Sequence, residues 1–143
     1  MPGDIFVHRN IANTLHPGDI NSASVIQYAV GALKVAGIVV CGHTKCGGAV
    51  AALNDNHLGE PLNTWIQPLR DLRRKHKAEL DRLPNDVERA DRIAELNVQL
   101  SLEVARKHPA VKAAINAGDL SLHGMIFDIG SGKLKPLEDK AYE

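Results

Sequence analysis

Two cysteines and a histidine stand close together in the segment CGHTKC, as Cys41, His43 and Cys46. Thiolate sulfur and neutral imidazole nitrogen are ligands that zinc prefers, at distances of about 2.0 to 2.3 Å. The spacing and the adjacent glycines predict a metal-binding pair at His43 and Cys46. Positions 41 and 43 share a face of an extended strand, so Cys41 is a candidate third ligand. A tight elbow with a buried thiol and a hydrogen-bonded histidine is the alternative.

Apolar spacing predicts the elements on either side of this pair. The run IVVC is typical of a strand buried on both faces, and GGAVAALND is predicted to begin a helix at Gly47. An earlier helix, SASVIQYAVGALKVAG, has Asn21 or Ser22 as its expected cap and Gly37 as its stop. The pair therefore lies on an elbow that leads from a strand into a helix.

The rest of the chain alternates between strand and helix patterns. Ile5, Phe6 and Val7 favour a strand, and residues 62–80 form an amphipathic helical stretch that Pro68 restarts or kinks. The later elements are a long helix from about Asn85 to just before Pro109, a short helix from Pro109 to Gly118, a strand LSLHGMIFDI and its hairpin partner KLKPL. This order predicts an α/β fold.

Length and charge limit the class of protein. The 143 residues, 44% of them hydrophobic, suffice for one domain spanning 1–143. Seventeen basic residues balance seventeen acidic ones, so we expect neither nucleic acid nor a membrane as a partner. No apolar run approaches the length that crosses a bilayer. A small molecule or a second copy of the chain is the expected partner, and the cytoplasm is the expected location.

Several segments taken together resemble one family. They are the elbow VVCGHTKCGG, PGDIFVHRNIAN at residues 2–13, SVIQYAVGALKVAGIVV at 24–40, NVQLSL at 97–102 and HPAVKAAINAGDLSLHGMIFDIGSGKL at 108–134. In this order they are similar to the β-class carbonic anhydrases, and the similarity covers nearly the whole chain. The resemblance implies a mainly parallel sheet flanked by helices.

The resemblance also implies a function, the reversible hydration of carbon dioxide to bicarbonate by zinc-bound hydroxide. The resemblance thus implies a carbonate dehydratase, which is a zinc lyase, and leaves the activity of this particular chain open. In that family one histidine and two cysteines hold the zinc, and His43 and Cys46 match the second and third of these ligands. The first ligand comes from a Cys-x-Asp-x-Arg motif, whose Asp and Arg handle the proton. This sequence contains no such motif.

The missing motif affects what is expected of the sheet, of zinc binding and of activity. The chain is interpreted as an N-terminally truncated member that lacks one central strand and the N-terminal helices. Direct pairing of the two orphaned strands, a shifted chain path or a strand from another chain could restore the sheet. Zinc is expected to bind weakly or with partial occupancy, and activity to be weak or absent. Because the family often has an apolar residue at the position of Cys41, a buried core thiol is the favoured interpretation of that residue.

Four further positions match the carbon dioxide pocket of the family: Phe6, Ile11, Tyr28 and Gly47. The first three line an apolar pocket at a dimer interface, and the backbone N–H of the fourth faces the bound anion. Ordinary core packing or an elbow glycine is the alternative at each position. The resemblance also implies a homodimer or a higher homo-oligomer.

Two other functions stay open at this point. One is a non-catalytic relative that acts as an interaction or hetero-oligomer module. The other is a hydrolase of carbon disulfide or carbonyl sulfide on the same scaffold. The resemblance also leaves an organelle open as the location, since relatives occur in both compartments.

Overall fold

The structure is a computed structural model and describes residues 1–137. It is an α/β fold, as predicted, with a small sheet and helices packed against it. The strands are β1 (Gly37–His43), β2 (Ser121–Asp128) and β3 (Lys133–Leu137). The helices are α1 (Ile20–Gln27), α2 (Gly47–Ala51), α3 (Leu62–Trp65), α4 (Gln67–Lys75), α5 (Lys77–Leu80), α6 (Asp86–Lys107) and α7 (Pro109–Asn116). None of these helices is long and apolar enough to cross a membrane.

The three strands lie in the order β1-β2-β3. β1 runs parallel to β2, in a register that pairs Gly37 with Ser121 and His43 with Phe127. β3 returns antiparallel to β2, which confirms the predicted hairpin. The long connection between the two parallel strands holds α2 to α7, as a parallel pair requires.

The long helix α6 forms the centre of the core and packs against β1 and β2. It begins after Asn85, whose side chain accepts a hydrogen bond from the Glu88 N–H, and ends before Pro109, as predicted. Gly42 lets the helix approach β1 closely, because a Cβ there would lie 2.9 Å from a methyl of Val98. The carboxyl end of β1 is therefore fixed against α6.

The prediction of a strand at Ile5–Val7 is wrong. Residues 4–10 form an irregular segment in which Ile5 is 79% exposed and Val7 is 66% exposed. An extended segment becomes a strand only when a neighbour pairs with its backbone. Within residues 1–137 this segment does not pair with β1, so direct pairing of the two orphaned strands, one of the three ways considered to restore the sheet, is not formed there.

The boundaries of the first helix also differ from those predicted. Asp19 is the cap, since its carboxylate accepts hydrogen bonds from the backbone N–H groups of Asn21 and Ser22. The helix continues through one π-helical stretch, Tyr28–Ala32, and Lys34 then adopts a φ of 56°. The chain has already left the helix before Gly37, which begins β1 instead of ending the helix.

The prediction that β1 is buried on both faces is wrong as well. Ile38 and Val40 point toward the core, but Val39 is 52% exposed and Cys41 is exposed. The helices described cover one face of the sheet, so alternate side chains of β1 face outward. The interpretation of Cys41 as a buried core thiol is therefore corrected by its place on the uncovered face.

Candidate metal centre

The predicted elbow is present between β1 and α2. His43 is the last residue of β1, and Cys46 is the N-cap of α2. Lys45, between them, adopts a φ of 56°, which turns the chain sharply. Its backbone N–H donates to Asp91 Oδ1 of α6 at 2.9 Å. The strand end, the turn and the helix start thus form one short, braced segment.

One hydrogen bond fixes the orientation of the His43 ring. Its Nδ1 lies 2.8 Å from the carbonyl oxygen of Thr44. A carbonyl can only accept a hydrogen bond, so Nδ1 carries the proton. Whenever the ring is neutral, this arrangement puts the lone pair on Nε2, and a lone pair is what a histidine offers to a metal.

The two cysteines have different surroundings. Cys46 is buried, at 6% exposure, at the start of α2. At Cys41, partial burial of the Sγ raises the pKa of the thiol, and a hydrogen bond from the Phe127 backbone partly opposes this shift. A raised pKa disfavours the thiolate that metals bind. Among residues 1–137, no three His, Cys, Asp or Glu side chains are arranged to hold one metal ion. The structure therefore does not bring Cys41 into a three-ligand group with His43 and Cys46.

A strained turn at Ile11–Asn13 packs against the start of α2. Ala12 and Asn13 adopt φ values of 62° and 51°, which non-glycine residues seldom do. A Cβ added at Gly48 would lie only 2.4 Å from the Cβ of Ala12, so glycine is required there for the close contact. The same turn carries Ile11, one of the predicted pocket residues.

Two buried or half-buried side chains hold this turn in place. The amide of Asn97, on α6, donates to the carbonyls of Ala12 and Asn13, both at 2.9 Å. The indole N–H of Trp65 donates to the carbonyl of Ile11 at 2.8 Å. Such bonds offset the cost of the left-handed conformation, which is of order 1 to 3 kcal/mol at each strained residue.

The predicted pocket residues are only partly brought together. The rings of Phe6 and Tyr28 lie with centroids 5.7 Å apart and tilted by 56°. Phe6, Ile11 and Tyr28 are 47%, 62% and 53% exposed, so they are not core residues as the alternative had it. A Cβ at Gly47 would meet no atom within 4 Å, so packing among the described residues does not require glycine there.

Sequence reasoning gave no role to Asp128, which the structure places beside the elbow. Its Oδ1 accepts a hydrogen bond from the Thr44 hydroxyl at 3.2 Å. β1 and β2 are parallel and His43 pairs with Phe127, so the residues that follow these two, Thr44 and Asp128, lie side by side. The signal in the sequence was Asp128-Ile-Gly, where an aspartate two residues before glycine favours a side-chain-capped turn. Asp91 and Asn97 carried no such signal.

The fold agrees with comparisons to known proteins. The family described as carbonic anhydrase matches residues 1–134. The chain belongs to the carbonic anhydrase family. Two curated relatives, both named carbonic anhydrase, come from Candida albicans and Emericella nidulans, with 40% identity over 139 residues and 46% over 136 residues.

Solved structures define the class within that family. A structure described as one of two tetrameric β-carbonic anhydrases from Sordaria macrospora is 50% identical, with a TM-score of 0.93 over 96% of this chain and 70% of that one. A β-carbonic anhydrase of Aspergillus fumigatus is 46% identical, with a TM-score of 0.92 over 99% of this chain and 67% of that one. The chain is thus of the β class.

The matched lengths differ between this chain and its relatives. The Candida albicans match covers 96% of this chain and 50% of the relative, and the Emericella nidulans match covers 94% and 59%. The chain therefore spans about half to three fifths of the length of these curated relatives.

Proposed function

We propose that this chain binds zinc through His43 and Cys46 and acts in the reversible hydration of carbon dioxide to bicarbonate. The observation that carries the proposal is the orientation of the His43 ring, whose Nδ1 is engaged by the Thr44 carbonyl 2.8 Å away. A metal-binding histidine commonly has its other ring nitrogen fixed in this way. Membership of the β-carbonic anhydrase family and the Cys46 thiol at the start of α2 support the same function.

The donors present suit zinc in kind but not in number. An imidazole nitrogen and a thiolate sulfur are ligands that zinc takes, but catalytic zinc sites use three protein ligands. The Cys-x-Asp-x-Arg motif that the resemblance implies as the source of the third ligand is not in this sequence. We therefore propose that the chain by itself binds zinc weakly. Bound zinc supplies a Lewis acid that makes a water molecule nucleophilic near neutral pH.

We assign supporting roles to the four pocket positions. Phe6, Ile11 and Tyr28 offer apolar surface, which suits carbon dioxide because the molecule carries no charge. The product bicarbonate is an anion, and the backbone N–H of Gly47 at the start of α2 can donate to it. The open space beside Gly47 is compatible with an anion approaching the backbone there.

The test combines zinc analysis with an assay of carbon dioxide hydration. We expect the chain to hold less than one zinc per molecule and to hydrate carbon dioxide slowly, in proportion to its zinc. His43→Ala and Cys46→Ser should abolish both, since either change leaves a single protein ligand. Cys41→Ser is the matched control and should keep both. Hydration that survives in His43→Ala and Cys46→Ser, or a parent chain without zinc, would contradict the proposal.

We further propose that the chain forms a homo-oligomer. The related Sordaria macrospora structure is described as tetrameric, and several large apolar side chains of this chain are exposed, including Ile5, Phe6 and Val39. Exposed apolar surface of this kind favours association. Light scattering after size-exclusion chromatography at micromolar concentration should give at least twice the monomer mass of 15.5 kDa, and a monomer would contradict the proposal.

A further inference from the structure

Thr44 is fixed to the end of β2 by three hydrogen bonds. Its backbone N–H donates to the carbonyl of Phe127 at 3.0 Å. Its hydroxyl donates to Asp128 Oδ1 at 3.2 Å and accepts from the backbone N–H of Ile129 at 3.0 Å. One side chain thus uses both hydrogen-bonding capacities of its hydroxyl to join two neighbouring chain segments.

Asp128, the acceptor for this hydroxyl, is itself held firmly. The Ser131 hydroxyl donates to Asp128 Oδ2 at 2.6 Å, and the Gly130 N–H donates to Oδ1 at 3.1 Å. These bonds lower the pKa of Asp128, with the Ser131 hydroxyl as the main cause. The carboxylate is therefore charged at neutral pH, and a charged acceptor makes the stronger hydrogen bond.

We propose that Thr44 and Asp128 are positioning residues for the metal ligand His43. The hydroxyl–carboxylate bond fixes the Thr44 peptide unit, and the carbonyl of that unit holds the proton of His43 on Nδ1. The lone pair on Nε2 then lies on the side of the ring away from the Thr44 carbonyl and is available to zinc. The part of this inference that concerns zinc depends on the proposed function, whereas the part that concerns the ring proton does not.

The chemistry of the tether indicates which substitutions break it. Thr44→Val preserves the shape of the side chain but can neither donate to Asp128 nor accept from the Ile129 N–H. Thr44→Ser keeps the hydroxyl and should restore the bond. Ser131→Ala removes a bond from the other oxygen of Asp128 and leaves Thr44 untouched. These three variants separate the tether from the general stability of the turn.

The first readout is the protonation pattern of the His43 ring in metal-free protein. Long-range proton–nitrogen NMR, assigned by loss of the signals in His43→Gln, distinguishes a ring protonated on Nδ1 from one protonated on Nε2. We expect the parent, Thr44→Ser and Ser131→Ala to show the Nδ1–H form alone. We expect Thr44→Val to show a mixture of both forms. A Thr44→Val spectrum identical to that of the parent would overturn the inference.

The second readout is zinc affinity, measured by competition with a coloured chelator. Loss of an outer partner of a metal-bound histidine weakens binding by about 10- to 100-fold, and we expect about tenfold for Thr44→Val. Thr44→Ser should bind as the parent does. Affinity in Thr44→Val equal to that of the parent would overturn the positioning role. A parent that binds no zinc but shows the expected ring pattern would instead overturn the proposed function.

A second variant covers the case in which Thr44→Val does not fold. Asp128→Ala removes the acceptor from the other end of the same bond. Its amide spectrum is compared first with that of Ser131→Ala, which alters the same turn. Asp128→Ala should then show the mixed ring pattern while Ser131→Ala does not. Equal patterns in the two variants would overturn the inference.

Discussion

The elbow at residues 43–48 is fixed by hydrogen bonds to neighbouring elements, whereas the segment at residues 1–10 is largely exposed. At the elbow, the backbone N–H of Thr44 donates to β2 and that of Lys45 donates to α6. In the amino-terminal segment, Ile5 and Val7 are 79% and 66% exposed, and within residues 1–137 no strand pairs with them.

This difference in bonding and exposure suggests that the elbow positions ligands and that the exposed segment takes part in assembly. Ligand geometry tolerates little error, and the proposed ligands His43 and Cys46 lie in the segment that the hydrogen bonds of Thr44 and Lys45 hold in place. The apolar side chains of Phe6, Ile11 and Tyr28 are exposed, which suits the proposed contact with a second copy of the chain. We therefore expect substitutions near the elbow to affect folding, and substitutions in the exposed segment to affect assembly.

The largest effect should come from Gly48, the second of the two glycines that begin α2. A Cβ at Gly48 would lie 2.4 Å from the Cβ and 3.1 Å from the Cα of Ala12, whose turn cannot easily move. Gly48→Ala should lower the free energy of unfolding by about 2 to 3 kcal/mol, as overpacking does. Gly47→Ala, which would meet no atom, should change it by less than about 0.5 kcal/mol. Urea unfolding measures both, and equal losses would contradict the contrast.

The next effect tests the link between the Ile11–Asn13 turn and α6. Asn97→Ala leaves the carbonyls of Ala12 and Asn13 without their shared donor, at a residue that is 2% exposed. We expect a loss of about 2 kcal/mol in urea unfolding, typical of buried groups left unpaired. Lys107→Ala, exposed on the same helix, is the control and should lose less than about 0.5 kcal/mol. A loss in Asn97→Ala no larger than in the control would show that the turn holds itself.

A smaller effect on folding is expected in the exposed segment. Phe6→Ala removes a tilted ring pair with Tyr28 that is worth about 0.5 to 1 kcal/mol. The same change should weaken self-association more than tenfold if this ring lies between subunits. Sedimentation at several concentrations measures the association. Weakened folding with unchanged association would reverse the roles assigned to the two regions.

The smallest effect concerns acid and the Asp128 turn. The pKa of Asp128 lies below its ordinary value, chiefly because of the Ser131 hydroxyl. A carboxylate with a lowered pKa stabilises the fold above its unfolded pKa of about 3.9, and this stabilisation is lost as the pH falls through the folded value. Ser131→Ala should therefore lower stability at pH 7, and the difference from the parent should shrink below about pH 4. A difference that grows in acid would contradict this assignment.

Much of the fold could be predicted because the signals are local. The helix after Asn85 has its own cap and a proline beyond its end, and the hairpin partner of β2 follows a glycine-rich turn. The elbow itself was also predicted, since a β-branched run and a pair of glycines mark it. These features depend on few distant contacts.

The failed predictions depended on neighbours that no local pattern encodes. Ile5–Val7 has the composition of a strand but no ladder partner among the described residues. The exposure of Cys41 depends on which face of the sheet the helices cover. The contacts of Asp128 with Thr44 and of Asn97 with Ala12 join residues more than 80 positions apart and depend on the register of β2 and the placement of α6.

The most direct test of the metal half-site is the visible and near-ultraviolet spectrum of the protein with cobalt(II) in place of zinc. A cobalt–thiolate bond gives an intense charge-transfer band that imidazole and water do not give. We predict the band in the parent and in Cys41→Ser, and its loss in Cys46→Ser. A band that disappears in Cys41→Ser and survives in Cys46→Ser would show that the elbow binds metal through the other cysteine, and would contradict this account.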